Sequence, residues 1–343
     1  MGLPARWHLY FPQEMMQDFR KRIFNISSEK EFNATALDIF RFQVSHNSLY
    51  EEYVEALGIR THAVKTIEEI PFLPVAFFRD YKVTCGAINY DAVFESSGTT
   101  GMVTSKHYVS DISLYEDSFI NGFRYFFGEP AEYFFASMLP SYYERGNSSL
   151  VFMMNGLNRM SRDSESGFFN SDPERLIEIL KNNSKKEIRS FLVGVSFALL
   201  DLAEKFKPDL SGTIIVETGG MKGRRKEITR QELHGILKTN LNADCIYSEY
   251  GMTELLSQAW SKGNGIYYCP PWMKVLIRDS YDPLSIYNEP GRTGGINIID
   301  LANINSCSFL LVSDLGKLHA DGGFEVLGRF DNSDIRGCNL LVE

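Results

Sequence analysis

The chain has 343 residues, 44% of them hydrophobic and 23% charged, which is enough for about two domains and a sizeable core in a water-facing globular protein. A formal net charge of −9 and a pI near 5.3 argue against broad electrostatic capture of nucleic acid or anionic lipid. The five cysteines (Cys85, Cys245, Cys269, Cys307 and Cys338) are odd in number and form no CxxC pair. They disfavour a disulfide scaffold or zinc ribbon and fit a reducing cytoplasm. No stretch of 18 apolar residues is present to span a membrane, and the first residues lack the basic-then-apolar order of a secretory signal.

The first 70 or so residues read as helical. Met16, Phe19, Ile23 and Phe24 recur at helical spacing, as do Phe40 with Val44 and Tyr53 with Val54 and Leu57. Two prolines in Ile70–Phe78 end that pattern and start an extended segment. Asp172-Pro173-Glu174 is a helix start with proline at the first position, and Thr229-Arg230-Gln231-Glu232 is a capping box. Between them, Phe191–Ser196 reads as a buried strand running into a helix over Phe197–Phe206. Thr213–Val216 reads as a second buried strand, ending at Glu217-Thr218-Gly219-Gly220. Leu255–Ser261 reads as a helix after a tight turn. Past residue 290 the pattern becomes strands and turns. The expected architecture is α/β with a mostly parallel sheet, in three regions: a helical region over 1–85, an α/β core over 86–300 and a β-rich section over 301–343.

Three motifs can carry chemistry. In Glu95-Ser96-Ser97-Gly98-Thr99-Thr100-Gly101, small residues let backbone N–H groups approach phosphate oxygens and the hydroxyls add donors. Lys106 and His107 follow as catalytic candidates that can supply positive charge, and the segment lacks the GK[ST] ending of a Walker loop. His107 can orient phosphate or assist proton transfer, or else serve as a hydrogen-bonded structural residue. In Tyr247-Ser248-Glu249-Tyr250-Gly251-Met252-Thr253-Glu254, a tyrosine offers a flat face to a purine, a threonine meets phosphate and a glutamate can hold Mg²⁺. In Ser313-Asp314-Leu315-Gly316 with Gly328-Arg329, a strand-end aspartate can receive ribose hydroxyls beside an arginine. Alone, the first piece reads equally as a surface turn, and a plain turn is the stronger reading of the other two.

Taken together and in this order, the motifs resemble the adenylate-forming superfamily of acyl-CoA synthetases, luciferases and adenylation domains over residues 90–340. The resemblance implies layered αβ subdomains plus a small β-rich section, with ATP and Mg²⁺ as cofactors. It places ATP phosphates on Ser96, Ser97, Gly98, Thr99, Thr100 and Gly101, and adenine between Gly219-Gly220 and Tyr250-Gly251. It places phosphate and metal at Thr253 and Glu254, ribose at Asp314 and the hinge arginine at Arg329. The acyl pocket falls near Gly194, Val195 and Ser196.

Two departures narrow the resemblance. The loop lysine comes late, in SSGTTGMVTSKH, and the chain stops at Glu343, so the mobile C-terminal domain and its lysine are expected to be lacking. Both features resemble the LuxE-type acyl-protein synthetases, or long-chain fatty acid–protein ligases. Shared with that family are Ser105-Lys106-His107, Lys222 after Gly219-Gly220, Pro270-Pro271-Trp272 with Arg278-Asp279, and Arg336-Gly337-Cys338. That resemblance implies a fatty acid substrate, acyl transfer to Cys338, and delivery to a partner acyl-CoA reductase or other acceptor protein. Arg336 beside Cys338 favours the thiolate such a role needs. The other four cysteines are expected in the core. Competing expectations are an acyl- or aryl-CoA (or carrier-protein) ligase of the phenylacetate-CoA ligase type, and an inactive nucleotide-binding subunit.

Overall fold

The computed structural model describes residues 13–86, 89–96, 104–140, 146–219, 225–226, 228–287 and 289–329. Three helices open the described chain: Gln13–Phe24, Glu29–His46 and Ser48–Ala56. Ser28 caps the second by accepting the Glu31 N–H. Asn47 ends it and caps the third by accepting the Tyr50 N–H. The second helix buries Phe32, Ala36, Ile39 and Phe40. It is pinned to a distant loop by Gln43, whose Nε2 donates to the Asn303 and Ile304 carbonyls at 3.0 Å and whose Oε1 accepts the Ser308 N–H at 3.0 Å. The helical opening expected from spacing is therefore present. Extension after Ile70 is brief: β1 (Leu73–Pro74) precedes a short helix at Phe77–Asp80.

β2 (Ala92–Glu95) and β3 (Lys106–Val109) form a separate antiparallel ribbon, with Glu95 opposite Lys106. The main sheet holds β4 (Tyr133–Met138), β5 (Gly167–Phe168), β6 (Arg189–Gly194), β7 (Thr213–Glu217), β8 (Ile246–Tyr250) and β9 (Ala259–Ser261) in the order β5-β4-β6-β7-β8-β9. All pairs are parallel except the last. All six residues of β4 are buried, as in a sheet covered on both faces. Helices with the expected caps connect the parallel strands: Pro173–Lys185 starts at Asp172, Ser196–Phe206 follows β6, and Arg230–Leu241 carries the Thr229/Glu232 capping box.

The second sheet runs β10 (Ile266–Tyr267), β15 (Phe324–Arg329), β14 (Phe309–Leu318), β13 (Thr293–Asp300), β11 (Met273–Arg278), β12 (Ile286–Tyr287), with β1 added parallel to β14. It draws strands from both sides of residue 300. Leu255–Ser261 forms no helix. Residues 255–258 are irregular and run into β9, whose Ala259–Ser261 backbone is taken up by antiparallel pairing with β8. The buried Asp300 carboxylate anchors the irregular stretch, accepting the Leu256 and Ser257 N–H groups at 2.8 and 3.0 Å and the Ser257 hydroxyl at 2.6 Å. Cys85 and Cys307 are core as expected, but Cys245 and Cys269 are only half-buried, and Cys338 lies outside the described residues. Among the described residues no helix is long and apolar enough to cross a membrane.

Candidate active site

The site residues gather at the carboxyl end of the parallel strands, the edge at which open α/β sheets bind ligands. Of the hydroxyl-rich loop, Ser97, Gly98, Thr99, Thr100 and Gly101 lie outside the described residues, as do Gly220 and Lys222. Its base is described. The Ser96 N–H donates to the Ser105 carbonyl at 3.0 Å, and the Ser105 N–H donates back to Ser96 Oγ at 2.9 Å, closing the loop at its neck. Lys106 makes a solvent-facing pair with Glu95 at 3.4 Å.

His107 departs from the expected positive charge. It is 1% exposed, its Nδ1 lies 2.9 Å from the Thr253 carbonyl, and Phe78 packs edge-on against its ring. Burial pulls its pKa down to about 4, against the contrary effect of the Thr253 carbonyl. The ring is neutral near pH 7 and fastens β3 to the turn after β8.

That turn is held from several sides. Asn303 Nδ2 donates to the Glu254 carbonyl at 2.7 Å, next to the His107 contact on Thr253. A Cβ at Gly251 would lie 2.3 Å from Glu249 Oε1, so a larger residue there would have to displace the Glu249 carboxylate. The Glu254 side chain is 7% exposed. Burial pushes its carboxyl up from the ordinary range, opposed by a hydrogen bond with Ser105 and the charge of Arg329. The Tyr250 hydroxyl donates to Asp314 Oδ2 at 2.8 Å, and Arg329 Nε lies 3.3 Å from Asp314 Oδ1. Asp314 and Arg329 face each other across β14 and β15. The Tyr250 ring packs on Tyr267 and Phe324, with centroids 5.8 and 5.5 Å away. Tyr250, Glu254, Asp314 and Arg329, up to 79 positions apart in the sequence, thus meet at one point.

The acyl candidates Gly194, Val195 and Ser196 form the turn from β6 into its helix, where a Cβ at Gly194 would lie 2.7 Å from Leu199. The adjacent turn at Thr218–Gly219 is tied to them, since the Thr218 N–H donates to the Gly194 carbonyl at 3.1 Å. Gly219 has φ +70, a conformation that favours glycine, and Thr218 Oγ1 is buried without a hydrogen-bond partner among the described residues. Sequence reasoning missed Glu217 as a site residue. It is 3% exposed, accepts the Gly219 N–H at 2.7 Å and the Ser196 hydroxyl at 3.3 Å, and lies 3.6 Å from His234 and 3.7 Å from Arg230. The available signal was a charged residue closing an otherwise apolar buried strand just before a glycine turn.

Neither a protein-family model nor a curated protein sequence matches the chain. Solved structures do. ATP-bound MatB from Rhodopseudomonas palustris matches with a TM-score of 0.51 at 16% identity, over 71% of this chain and 49% of MatB. The ATP-bound RpMatB-BxBclM chimera B3 matches with a TM-score of 0.50 at 16% identity, over 71% of this chain and 49% of the chimera. The chain spans about half the length of these structures. Over that 71% the chain shares the α/β fold of these two structures.

Proposed function

We propose that this chain activates a carboxylic acid with ATP, forming an acyl-adenylate and pyrophosphate, and that it then acts as a fatty acid–protein ligase. The observation that carries the first part is the joining of Tyr250, Asp314 and Arg329 beside Glu254 at the sheet edge. These residues fit a nucleotide. Thr218 Oγ1 is a buried hydroxyl with no partner among the described residues, beside a glycine turn at the end of β7, and at the end of the neighbouring β8 Tyr250 ends on a carboxylate suited to ribose hydroxyls. Glu254 fits a cation, because burial disfavours its charged form and a divalent ion would restore it. Mg²⁺ held there would neutralise phosphate charge. Described residues offer no group of three His, Cys, Asp or Glu to hold a metal, consistent with an ion shared between one carboxylate and phosphate oxygens.

In this reading Asp314 holds the ribose and Tyr250 faces the base. The loop carried between Ser96 and Ser105 supplies the phosphate-binding amides, and the substrate carboxylate enters from the Gly194–Ser196 turn. Its oxygen attacks the α-phosphorus, the bond to the β-phosphate oxygen breaks, and pyrophosphate leaves. The Cys338 thiolate then attacks the acyl carbonyl with release of AMP, and the thioester passes to an acceptor such as an acyl-CoA reductase.

The test is mass spectrometry of the protein after incubation with fatty acids, ATP and Mg²⁺, alongside ATP–pyrophosphate exchange. One acyl group on Cys338, lost in Cys338→Ser while exchange persists, is expected. A CoA thioester with no acyl-protein would replace the protein-ligase reading by an acyl- or aryl-CoA ligase. Absence of exchange with any acid would leave a nucleotide-binding subunit.

A further inference from the structure

Glu217 lies between the Gly219 turn and the residues that pack on Tyr250. Met138, Gly194, Glu217 and Ser248 are register partners in one row across β4, β6, β7 and β8, so their side chains share a face of the sheet. That face is covered by the helix Arg230–Leu241, which aims Arg230 and His234 at Glu217 Oε1. The other oxygen, Oε2, takes the Gly219 N–H and the Ser196 hydroxyl. Burial alone would raise this carboxyl. Hydrogen bonds with His234, Ser248 and the Gly219 amide, with the charge of Arg230, bring it below the ordinary range, so it is an anion in the fold.

From Glu217 the contacts run to both walls. One wall is the Thr218–Gly219 turn, whose left-handed Gly219 has its amide fixed by the carboxylate. The other is Tyr250, reached through two links. Arg230, drawn toward Glu217, lies 5.2 Å from the Tyr267 ring centroid, and Tyr267 packs on Tyr250. Ser248, two residues before Tyr250, is the register partner of Glu217, and its hydroxyl lies 3.4 Å from His234 Nε2. The chain thus places an anion where it can orient an amide, a hydroxyl and a guanidinium at once.

We propose that Glu217 is a positioning residue of the nucleotide site, setting the spacing between the Gly219 turn and the Tyr250 ring and so selecting the purine base. The inference rests on the proposed nucleotide site at Tyr250 and Asp314. Glu217 itself touches no phosphate or reacting atom; it acts through Gly219 and through Arg230 and Tyr267.

The test compares Glu217→Gln, which keeps the shape and one acceptor but removes the charge, with Glu217→Ala and with Asp314→Ala as the reference for the nucleotide site. ATP–pyrophosphate exchange is read as kcat, KM for ATP and KM for acid, with ATP against ITP as the measure of base selection. Calorimetric ATP binding and melting temperature are measured on the same proteins. Loss of the charge that orients two walls is expected to raise the KM for ATP about tenfold. The kcat should stay within about twofold, the acid KM should rise less than the ATP KM even though Glu217 also holds the Ser196 hydroxyl, and the ATP preference over ITP should shrink. Arg230→Gln should show the same direction with a smaller effect, so the inference survives as a test even if Glu217→Ala does not fold. A folded Glu217→Gln protein with unchanged ATP KM and base preference, while Asp314→Ala loses ATP affinity, overturns the role of Glu217 alone. Equal rises in both KM values with a lower melting temperature assign it to general stability and also overturn it. If the wild type binds no ATP, or Asp314→Ala and Glu217→Gln both leave ATP affinity intact, the nucleotide site itself is misplaced and the inference falls with it.

Discussion

Replacing Asp314 by alanine should separate a stability effect from a binding effect, and the two can be sized from different contacts. In the free protein the carboxylate has two partners. The Tyr250 hydroxyl bond at 2.8 Å joins a mostly enclosed donor to a charged acceptor, an arrangement that contributes about 1.5–3 kcal/mol. The Arg329 pair is longer, at 3.3 Å, and the arginine side chain is 83% exposed, so screening leaves it about 0–1 kcal/mol. Asp314→Ala should therefore cost about 2–3 kcal/mol, a drop of several degrees in melting temperature. Tyr250→Phe removes the same bond and should cost a similar amount, with little further loss in the double variant. Binding behaves differently. Losing the acceptor for ribose hydroxyls should raise the KM for ATP in pyrophosphate exchange by about 10–100-fold, whereas Tyr250→Phe, which leaves the carboxylate in place, should raise it less. The wild type should also prefer ATP to 2′-deoxyATP, and Asp314→Ala should lose that preference. An Asp314→Ala protein that keeps wild-type affinity for ATP and still discriminates against the deoxynucleotide would refute the ribose assignment. Equal and additive stability losses from the two single variants would refute the coupling.

Three other predictions concern buried ionisable groups. Burial, aided by the negative charge of Glu217, pushes the Glu249 carboxyl up from 4.5 to about 8. The fold then keeps a proton that the unfolded chain has released, so stability should fall as pH rises across that interval. Glu249→Gln should flatten this slope in denaturant unfolding measured between pH 5 and pH 9, and an unchanged slope would contradict it. His107 has the opposite sign: with its pKa lowered from 6.5 to about 4, the unfolded chain takes up the proton first, so stability is lost as pH falls through that interval. His107→Gln should weaken the acid-side loss in the same measurement. Asp300 is fully buried, and its carboxylate accepts from two amides and a hydroxyl of Leu256–Ser257 and from the Ala302 N–H at 3.2 Å. Asp300→Ala should destabilise the fold by about 3–5 kcal/mol, read as a lower unfolding midpoint, because several buried donors lose their acceptor together.

Local features of this chain were legible because their causes lie within a few residues. Asp172 and Thr229 cap helices through N–H groups three positions away, and the apolar run at Phe191–Gly194 forms a strand wherever both faces are covered. The order of the Ser/Gly/Thr loop, the Tyr250–Glu254 turn and Asp314 with Arg329 could likewise be read without coordinates, and so could the α/β class. Tertiary structure decided what depends on partners far along the chain. Leu255–Ser261 has an acceptable helical pattern, yet its end pairs with β8 as β9, and Asp300, more than forty positions on, anchors the stretch before it. His107 reads as a cation until the Thr253 carbonyl, 146 positions away, and a dry surrounding make it a neutral clasp. Glu217 looked like the polar end of a strand, and only the register of β6, β7 and β8 puts Ser196, Gly219, His234 and Arg230 around it. Spacing along a chain encodes periodicity and caps, which are local energies. The protonation state and partners of a buried group follow from the solvent that folding removes and the distant dipoles it brings near, and no window of neighbouring residues carries either.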